Sequence, residues 1–586
     1  MTTTLALLNA CDAAVFVSTL HGIYEHSPWV AQRAAAKRPF ATLEALKLGL
    51  QDVVRDAAEA EQLELIRAHP ELSGKAAPAG ALTVESSGEQ ASAGLDQCSP
   101  QEYASLQQLN AAYNARFGFP FILAVKGPDG NGLSRQAIIS SFTHRLRHQA
   151  ADEQAECLRQ IGRIAALRLN DLLGFVPQLG HTVLAWADAL ALWSDDAAML
   201  TCAFMTAAHR NTAAQLAQWM TDAGLQAEID AVGNVVGRYR CDDPFAKTLV
   251  TGSHYDTVRN GGKYDGRAGI LVPIAVVGQL HQRGEKLPFH LEVIGFADEE
   301  GVRFNSTFLG SNAVTGRFDP ALLEKADADG VTLRDALLAA GHDPAQIAGC
   351  ARDPADLLGF VEIHIEQGPV LLGRDLPVGI VSSIAGSLRY QVALTGVASH
   401  AGTTPMTVRR DAAAAAAEII LYVERRCSQA QTLVGTVGQL QVPHGSINVI
   451  PGVCNLSLDI RAADDATRDA AAADVLQQIA AIGKRRNIDV ALERVEIAAA
   501  VPCAPWLMRQ LAAATERAGI PAYVLASGAG HDAMMLARIT DVAMLFVRCG
   551  NGGISHNPLE TMTADDAEIA AQIFLDFLRA FKAEGA

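Results

Sequence analysis

The sequence has few positive charges and no long apolar run, and each absence excludes a class of protein. Its 586 residues carry 47 Lys and Arg against 64 Asp and Glu, a formal net charge of −17. Nucleic-acid binders usually carry a clustered basic surface, so we expect small-molecule substrates and no nucleic acid. No stretch reaches the roughly 18 consecutive apolar residues that a membrane span needs, so we expect no membrane insertion.

Paired cysteines are also missing. None of the ten cysteines forms a Cys-x-x-Cys pair, which suits reduced thiols in a reducing compartment. The N-terminal stretch MTTTLALLNA lacks the basic start of a secretory signal. We therefore expect a cytoplasmic protein, and its length predicts two or three domains rather than one core.

Hydrophobic periodicity divides the chain into three parts. Residues 1–173 read almost wholly as helix, because apolar residues recur there at steps of three and four. After a linker expected over 174–182, short β-rich runs alternate with Ala-rich helical stretches over 183–386 and 501–586, which indicates an α/β sheet covered on both faces. Residues 387–500 read strand, helix, strand, strand, helix, strand, the ferredoxin-like order. The sequence thus predicts a multidomain protein with an all-α N-terminal domain and an α/β domain into which an α+β unit is inserted.

Metal-binding residue types close successive apolar runs of the α/β part. They are His254 and Asp256 after TLVTGS, Asp265 in NGGKYDGRAG, Glu299 and Glu300 after LEVIGFAD, His364 in FVEIHIE, and His556 in GISHNPLE. Ligands of such sheets gather at the carboxyl ends of the strands. Any one of these residues alone would be an ordinary loop or helix-start residue. Imidazole and carboxylate groups together suit zinc, manganese or a related divalent ion, and one carboxylate can bridge two ions.

Eight motifs of this part, in order, resemble the M20 family of dinuclear metal hydrolases. They are SHYDTV, GGKYDGRAG, DEEGVRF, HIEQGP, GVASHAGTTPM, INVIPG, SGAGHDA and GISHNPLE. The similarity is to the branch of allantoate amidohydrolases, N-carbamoyl-amino-acid hydrolases and β-ureidopropionases. It implies a catalytic domain interrupted by a lid and dimerisation domain, a homodimer formed through that lid, and two divalent ions, zinc or manganese.

The M20 resemblance also implies a role for each residue of the site. His254 and His364 would hold one ion, Glu300 and His556 the other, with Asp265 bridging. Asp256 would orient His254, Glu299 would be the general base, and His400 would reach the partner subunit's site to stabilise the oxyanion. Substrate contacts would come from Gln367, Asn448, Arg461, Ser527, Gly528 and Gly530. Histidine at position 364, where many peptidase members have aspartate, favours cleavage of ureido and carbamoyl groups.

The N-terminal part has three motifs of its own, IRAHPELSGK, ESSGEQASAGL and ARFGFPFILAV. From composition alone His69 would be a helix-end residue. In this order, however, the motifs resemble the decarboxylase of 2-oxo-4-hydroxy-4-carboxy-5-ureidoimidazoline (OHCU), an all-helical enzyme that uses no metal or cofactor; ELSGK stands where that family often has DLAGK.

This second resemblance implies a decarboxylase site built around His69. Its proton donor would be His69, with Glu89 as catalytic partner, and a histidine titrating near neutrality suits proton delivery to the carbon that loses carbon dioxide. The expected substrate contacts are Pro70, Ser86, Gln90, the pocket lining at Phe121, Ile122 and Val125, and either Arg163 or Arg168.

The two resemblances together predict a bifunctional enzyme of urate breakdown. The decarboxylase product is (S)-allantoin, and ring opening of allantoin gives allantoate, so the fusion favours allantoate as the second substrate. Three alternatives stay open. The C-terminal part could hydrolyse N-carbamoyl-L-amino acids or ureidopropionate, it could be a binding protein that has lost catalysis, or the N-terminal domain could be an inactive assembly module.

Overall fold

A computed structural model of the chain describes residues 3–72, 86, 88–90 and 93–584. Helices make up the N-terminal part, namely Leu5–Ala10, Ala13–Thr19, Pro28–Ala34, Leu43–Arg55, Glu59–Arg67, Pro100–Phe117, Arg135–Arg145 and Ala150–Leu173. Their apolar faces form one core that extends from Leu8 to Leu169. The sequence therefore predicted the helical character of this part correctly.

The linker between the two halves is shorter than expected. The helix Ala150–Leu173 ends where Gly174 adopts a left-handed conformation, with φ 65°, as glycine does without strain. The next helix begins at Gln178. Of the residues expected to be linker, 174–182, only 174–177 therefore lie between helices.

Strands and helices alternate through most of the C-terminal part. Sixteen strands lie within the described chain: β1 Gln226–Ile229, β2 Val235–Tyr239, β3 Thr248–His254, β4 His290–Phe296, β5 Leu357–Ile365, β6 Val378–Ile384, β7 Gly386–Thr395, β8 Ser399–His400, β9 Leu433–Thr436, β10 Leu440–Gln441, β11 Val449–Ile450, β12 Val453–Ala462, β13 Asp489–Ala498, β14 Val501–Pro502, β15 Val524–Ser527 and β16 Val542–Val547. The accompanying α-helices are Gln178–Ala191, Ala207–Asp222, Ala268–Gln282, Leu309–Val314, Leu333–Ala339, Val370–Gly373, Ala412–Cys427, Asp465–Arg486, Pro505–Arg517, Ala533–Leu536 and Ala564–Ala580.

The larger sheet has nine strands in the order β1-β2-β4-β3-β5-β16-β6-β14, with β15 also pairing with β6. Its central strands β4, β3, β5 and β16 are mutually parallel. Neighbouring residues such as Leu249 and Val250 belong to different apolar clusters, because successive side chains of a strand point to opposite faces. The sheet is therefore buried on both faces, and the carboxyl ends of its central strands share one edge.

A second sheet lies between β6 and β14 in the chain. Its order is β10-β12-β7-β13, and β9 also pairs with β12. Alternate residues of β12 are buried, so one face of this sheet is covered. The helices Ala412–Cys427 and Asp465–Arg486 supply that cover and share a separate apolar core with the strands.

The two parts of the chain are in contact through helices. The helix Gln178–Ala191, which follows the connection at 174–177, packs on the helix Ala564–Ala580 so closely that a Cβ atom at Gly180 would lie 1.9 Å from the carbonyl oxygen of Ala564. From the N-terminal part, the Thr42 hydroxyl donates a hydrogen bond at 2.6 Å to the carbonyl of Ala518, at the end of the helix Pro505–Arg517. Of the helices in the described ranges, none is both long and apolar enough to cross a bilayer.

Candidate functional sites

The expected metal ligands meet at the carboxyl edge of the larger sheet. Strand β3 ends in His254, β5 carries His364, and the loops after β4 and β16 carry Glu300 and His556. Their ligand atoms form two groups within which all atoms lie within 4.8 Å of one another. The groups are His254, Asp265 and His364, and Asp265, Glu300 and His556. Asp265 is common to both, which is the position of a bridging carboxylate.

The two oxygens of Asp265 face different histidines. Its Oδ1 atom lies 3.3 Å from His364 Nε2 and 3.7 Å from His254 Nε2, whereas its Oδ2 atom lies 3.2 Å from His556 Nε2. The same His556 nitrogen is 3.4 Å from Glu300 Oε1. One carboxylate thus stands between two separate sets of donors.

The residues present fit divalent cations. The Oδ1 atom of Asp265 is buried and, among the described residues, accepts no hydrogen bond. Burial raises the pKa of Glu300 to about 7 and raises the pKa of its neighbour Glu299 well above the usual value. Bound cations are the charges that reverse this effect and keep such carboxylates ionised. Neutral imidazoles and carboxylates are also the ligands that zinc and manganese accept.

The side chain of Asp256 and two backbone carbonyl groups hold several of the expected ligand residues in place. The two carboxylate oxygens of Asp256 accept the backbone N–H groups of Glu299 at 3.0 Å and Glu300 at 3.1 Å. His254 Nδ1 lies 3.1 Å from the carbonyl oxygen of Asp256, and His364 Nδ1 lies 2.8 Å from that of Ile365. Because a carbonyl oxygen only accepts, both Nδ1 atoms carry the proton, and both Nε2 atoms face Asp265 Oδ1 as lone-pair donors. His364 Nε2 also accepts the backbone N–H of Gly266 at 3.2 Å.

Ser555 and Glu560 are parts of this site that the sequence reasoning missed. One oxygen of Glu560 accepts the backbone N–H groups of Tyr264 at 2.9 Å and Asp265 at 3.1 Å. The other accepts the Ser555 hydroxyl at 2.7 Å, and that hydroxyl oxygen lies 3.2 Å from Asp265 Oδ2. Their position in the GISHNPLE motif was the only available signal.

Several expected substrate contacts border the metal ligands. Gln367 Nε2 donates to Asp265 Oδ2 at 2.9 Å and lies 3.3 Å from His556 Nε2. The Ser527 hydroxyl lies 2.8 Å from Nε2 of the buried His531, whose ring packs edge-on against His364. Glu362, His364 and His531 form a further group with ligand spacing, which was not predicted.

Arg461 connects the second sheet to the larger one. Its Nη1 atom donates to the carbonyl of Gly528 at 2.9 Å, and its Nε and Nη2 atoms both bind Asp459. Gly530 lies in the same loop as Gly528, after β15. The expected carboxylate-binding arginine therefore lies at the loop that was expected to contribute backbone contacts.

His400 and Asn448 lie together but apart from the metal ligands. Their strands β8 and β11 pair, and the N–H of Ala401 donates to the carbonyl of Asn448 at 2.9 Å. His400 is exposed, and its Nδ1 atom accepts the N–H groups of Gly402 and Thr403. Within the described part of this single chain, no hydrogen bond joins His400 to the metal-ligand groups.

The N-terminal part holds a buried charge cluster around Arg168. Its guanidinium group binds both oxygens of Glu89 at 2.8 and 2.9 Å, and it also donates to Glu25 at 3.0 Å and to the Ser86 hydroxyl at 3.0 Å. Ser86 in turn donates to Glu25 at 2.9 Å. The structure thus brings together three of the predicted residues, and Glu25 is a fourth member that no motif indicated.

His69 has a different charge state from the one expected. It is buried, and this burial lowers its pKa to about 4, so the imidazole is neutral at neutral pH. The expectation of titration near neutrality was wrong, because the burial of this side chain is not visible in the sequence. His69 Nδ1 lies 3.0 Å from the carbonyl of Leu65; it therefore carries the proton, which leaves Nε2 as an acceptor.

The other predicted residues of this part have the following positions. Pro70 follows His69, and Gln90 donates to the carbonyl of Glu71 at 3.2 Å. The buried ring of Phe121 stacks on that of Phe142, and Ile122 and Val125 belong to the same core. Of the motifs, residues 73–75, 85, 87 and 91–92 lie outside the described residues.

Arg163 lies away from the charge cluster. It binds Asp565 of the C-terminal part and donates to the carbonyl of Pro128 at 3.3 Å. Its helix turns this side chain toward the neighbouring domain, so of the two arginines proposed for the substrate only Arg168 lies with Glu89 and Ser86.

Comparison with known proteins matches two parts of the chain to two different families. Residues 9–170 match the family described as OHCU decarboxylase, and residues 250–580 match the family described as peptidase family M20/M25/M40.

Individual relatives match the chain over about two thirds of its length. It is 40% identical over 368 residues to an N-carbamoyl-L-amino acid amidohydrolase of Geobacillus stearothermophilus, which covers 63% of this chain and 90% of the relative. It is also 40% identical over 418 residues to allantoate deiminase of Arabidopsis thaliana, which covers 66% and 79%. The crystal structure of a hydantoinase/carbamoylase family amidase from Burkholderia multivorans has a TM-score of 0.64 and 31% identity, and covers 68% of this chain and 97% of that one.

Proposed function

We propose that this chain, which belongs to peptidase family M20/M25/M40 and carries an OHCU decarboxylase domain ahead of that region, is a bifunctional enzyme of urate breakdown. Its N-terminal domain decarboxylates OHCU to (S)-allantoin, and its C-terminal part hydrolyses allantoate to ureidoglycine, carbon dioxide and ammonia. The observation that carries the proposal is the presence of both an Arg168–Glu89–Ser86 cluster and a carboxylate shared between two ligand groups in one chain.

The hydrolase centre would hold two ions, one between His254, Asp265 and His364 and the other between Asp265, Glu300 and His556. When bound, such ions polarise the carbamoyl carbonyl and lower the pKa of water. Glu299 would take the proton from the attacking water and return it to the leaving nitrogen. Asp256 supports this role because it holds the backbone of Glu299 beside that of Glu300.

Substrate recognition would fall to groups around this centre. Arg461, whose Nε and Nη2 atoms bind Asp459, would turn its remaining Nη1 and Nη2 N–H groups toward a substrate carboxylate. Gln367 would offer an amide beside Asp265. We assign the second sheet as a lid and dimerisation domain. His400 would then serve the partner subunit, which accords with its exposure and with its place outside the ligand groups of the described chain.

Allantoate is the favoured substrate because of the domain that precedes the hydrolase. N-Carbamoyl-L-amino acids are the second candidate, because the Geobacillus stearothermophilus relative is as similar as the plant one. Metal-free protein reloaded with Mn²⁺ or Zn²⁺ should release ammonia from allantoate at a higher kcat/KM than from an N-carbamoyl-L-amino acid or ureidopropionate. The reverse order of kcat/KM would reject allantoate.

In the decarboxylase site, a neutral His69 changes the proposed order of proton transfers. Its Nε2 atom would first accept the proton of the substrate hydroxyl group. The same nitrogen would then deliver a proton to the ring carbon that takes up hydrogen once carbon dioxide has left. Arg168 would counter the negative charge that develops, and Glu25 and Glu89 would hold its guanidinium plane in place.

This activity can be tested by following the circular dichroism of freshly generated OHCU. Production of one allantoin enantiomer faster than the spontaneous decay, abolished by His69→Ala, would support the proposal. If the wild-type protein left the spontaneous rate and the racemic product unchanged, the N-terminal domain would be an assembly module instead.

A further inference from the structure

One segment of the chain serves both domains. Residues 555–565 begin at the metal-ligand groups, where His556 lies 3.2 Å from Asp265 and where Ser555 and Glu560 hold the loop that carries Asp265. The same segment ends at Asp565, in the first turn of the helix Ala564–Ala580. The metal-ligand loop and the domain contact are therefore consecutive in the chain.

Asp565 is the centre of the contact with the N-terminal domain. One of its oxygens binds Arg163, and the other accepts Asn170 Nδ2 at 2.7 Å and lies 3.5 Å from Lys47 Nζ. Although burial opposes ionisation, these cations hold the pKa of Asp565 well below its usual value. The preceding backbone takes part as well, since the N–H of Ala564 donates to the carbonyl of Pro128 at 2.9 Å.

These contacts involve a charge that is removed from solvent. The side chain of Asp565 is 7% exposed, and removal of one partner from a buried pair leaves the other uncompensated. The first turn of the terminal helix is thus held from the side of the N-terminal domain. From the C-terminal side, Asp566 holds the same turn by binding Arg548 at 2.6 Å, and the helix Gln178–Ala191 packs against Ala564.

The restraint continues toward the metal ligands. Thr563 caps the helix by accepting the N–H of Asp566, and the carbonyl of Thr561 accepts the N–H of Gly550 at 2.8 Å. Glu560, the residue before Thr561, accepts the N–H groups of Tyr264 and Asp265. A shift of the helix start would therefore reach the backbone of the bridging carboxylate through a short, hydrogen-bonded stretch of chain.

We propose that Asp565 is a positioning residue for the hydrolase, through which the docked N-terminal domain tightens divalent-ion binding by the group Asp265, Glu300 and His556. The helical domain then has a role in hydrolysis that is separate from its own catalysis. The inference rests on the metal centre of the proposed function but not on the identity of the substrate.

The test is a calorimetric Mn²⁺ titration of metal-free full-length protein, comparing the wild type with Asp565→Asn. The matched control is Asp171→Asn, which removes a solvent-exposed partner of Lys126 on the same helix as Arg163 and Asn170. Partners outside the ligand set typically change metal affinity by about 10- to 100-fold. Because Asp565 acts one step further away, we expect Mn²⁺ affinity at one of the two sites to fall about three- to tenfold in Asp565→Asn, with no change in Asp171→Asn.

Each outcome is decisive. Equal isotherms for Asp565→Asn and the wild type overturn the proposal, and so does an equal loss in Asp171→Asn. A wild-type protein that binds no Mn²⁺ refutes the metal centre itself, which is a different result. If Asp565→Asn does not fold, Lys47→Met replaces it; a weaker second site in Lys47→Met supports the coupling, and an unchanged one overturns it.

Discussion

Replacement of Glu299 by glutamine separates the two roles that its position permits. Glu299 is the proposed base, but it also belongs to a group with His254 and Glu300 whose atoms have ligand spacing. Its backbone N–H is held by Asp256, so an amide of the same shape should leave the position of Glu300 unchanged. We therefore expect Glu299→Gln to retain both ions and to lose activity.

The expected loss follows from the role of a proton acceptor. General base catalysis typically contributes about 10²- to 10⁴-fold, which corresponds to about 2.7–5.4 kcal/mol of transition-state stabilisation. The assay is ammonia release from allantoate by protein whose metal content is measured in the same sample. KM should change little, because Glu299 is not among the proposed substrate contacts.

Another buried glutamate, two residues after His364, provides the control for this experiment. Glu366 accepts the backbone N–H groups of Val370 at 2.7 Å and Leu371 at 2.9 Å and belongs to neither proposed ion site. Glu366→Gln should keep both ions and turn over near the wild-type rate. Wild-type turnover by Glu299→Gln would refute the base role, and loss of one ion would make Glu299 a ligand instead.

Three further predictions concern other residues of the two sites. Asp256→Asn should weaken metal binding by about 10- to 100-fold, because it disturbs the acceptors of the Glu299 and Glu300 backbone N–H groups and removes the negative charge 3.5 Å from His254 Nδ1; an unchanged Mn²⁺ isotherm would contradict this. For His69, whose folded pKa of about 4 lies below the usual 6.5, the stability contribution is complete above pH 6.5 and is lost as pH falls toward 4. Between pH 6.5 and pH 4, chemical denaturation of the wild type should show a loss of about 3 kcal/mol in the free energy of unfolding from this source. The exposed control His144→Asn should show the same loss, whereas His69→Asn should not. Arg168→Met should abolish decarboxylation and destabilise the N-terminal domain by about 3–5 kcal/mol, because it removes the cation that binds the buried Glu25 and the partly buried Glu89; a thermal melt equal to that of the wild type would contradict this.

The grouping of the expected metal ligands could be predicted because their signal is local. Each lies at the end of an apolar run, and parallel strands bring such ends to one edge of the sheet, so His254, Glu300 and His364 could be grouped without coordinates. The role of Asp265 came from the family resemblance, and the distances to His364 and His556 are consistent with it.

The missed features depend on contacts between distant parts of the chain. Glu25 binds Arg168 although the two residues are 143 positions apart in the sequence, and no periodicity predicts such a pairing. The choice between Arg163 and Arg168 could not be made from the sequence for the same reason, since the partner of Arg163, Asp565, belongs to the other domain. The charge state of His69 depends on burial, which only the folded packing determines.

The short connection at residues 174–177 has a consequence for how strong the contact between the domains needs to be. A covalent tether of this kind raises the local concentration of one domain around the other to roughly the millimolar range. A contact that would be too weak to hold two free proteins together in dilute solution is then almost fully formed. Selection could therefore assemble the interface around Asp565 gradually, one polar contact at a time, after the two enzymes had become one polypeptide.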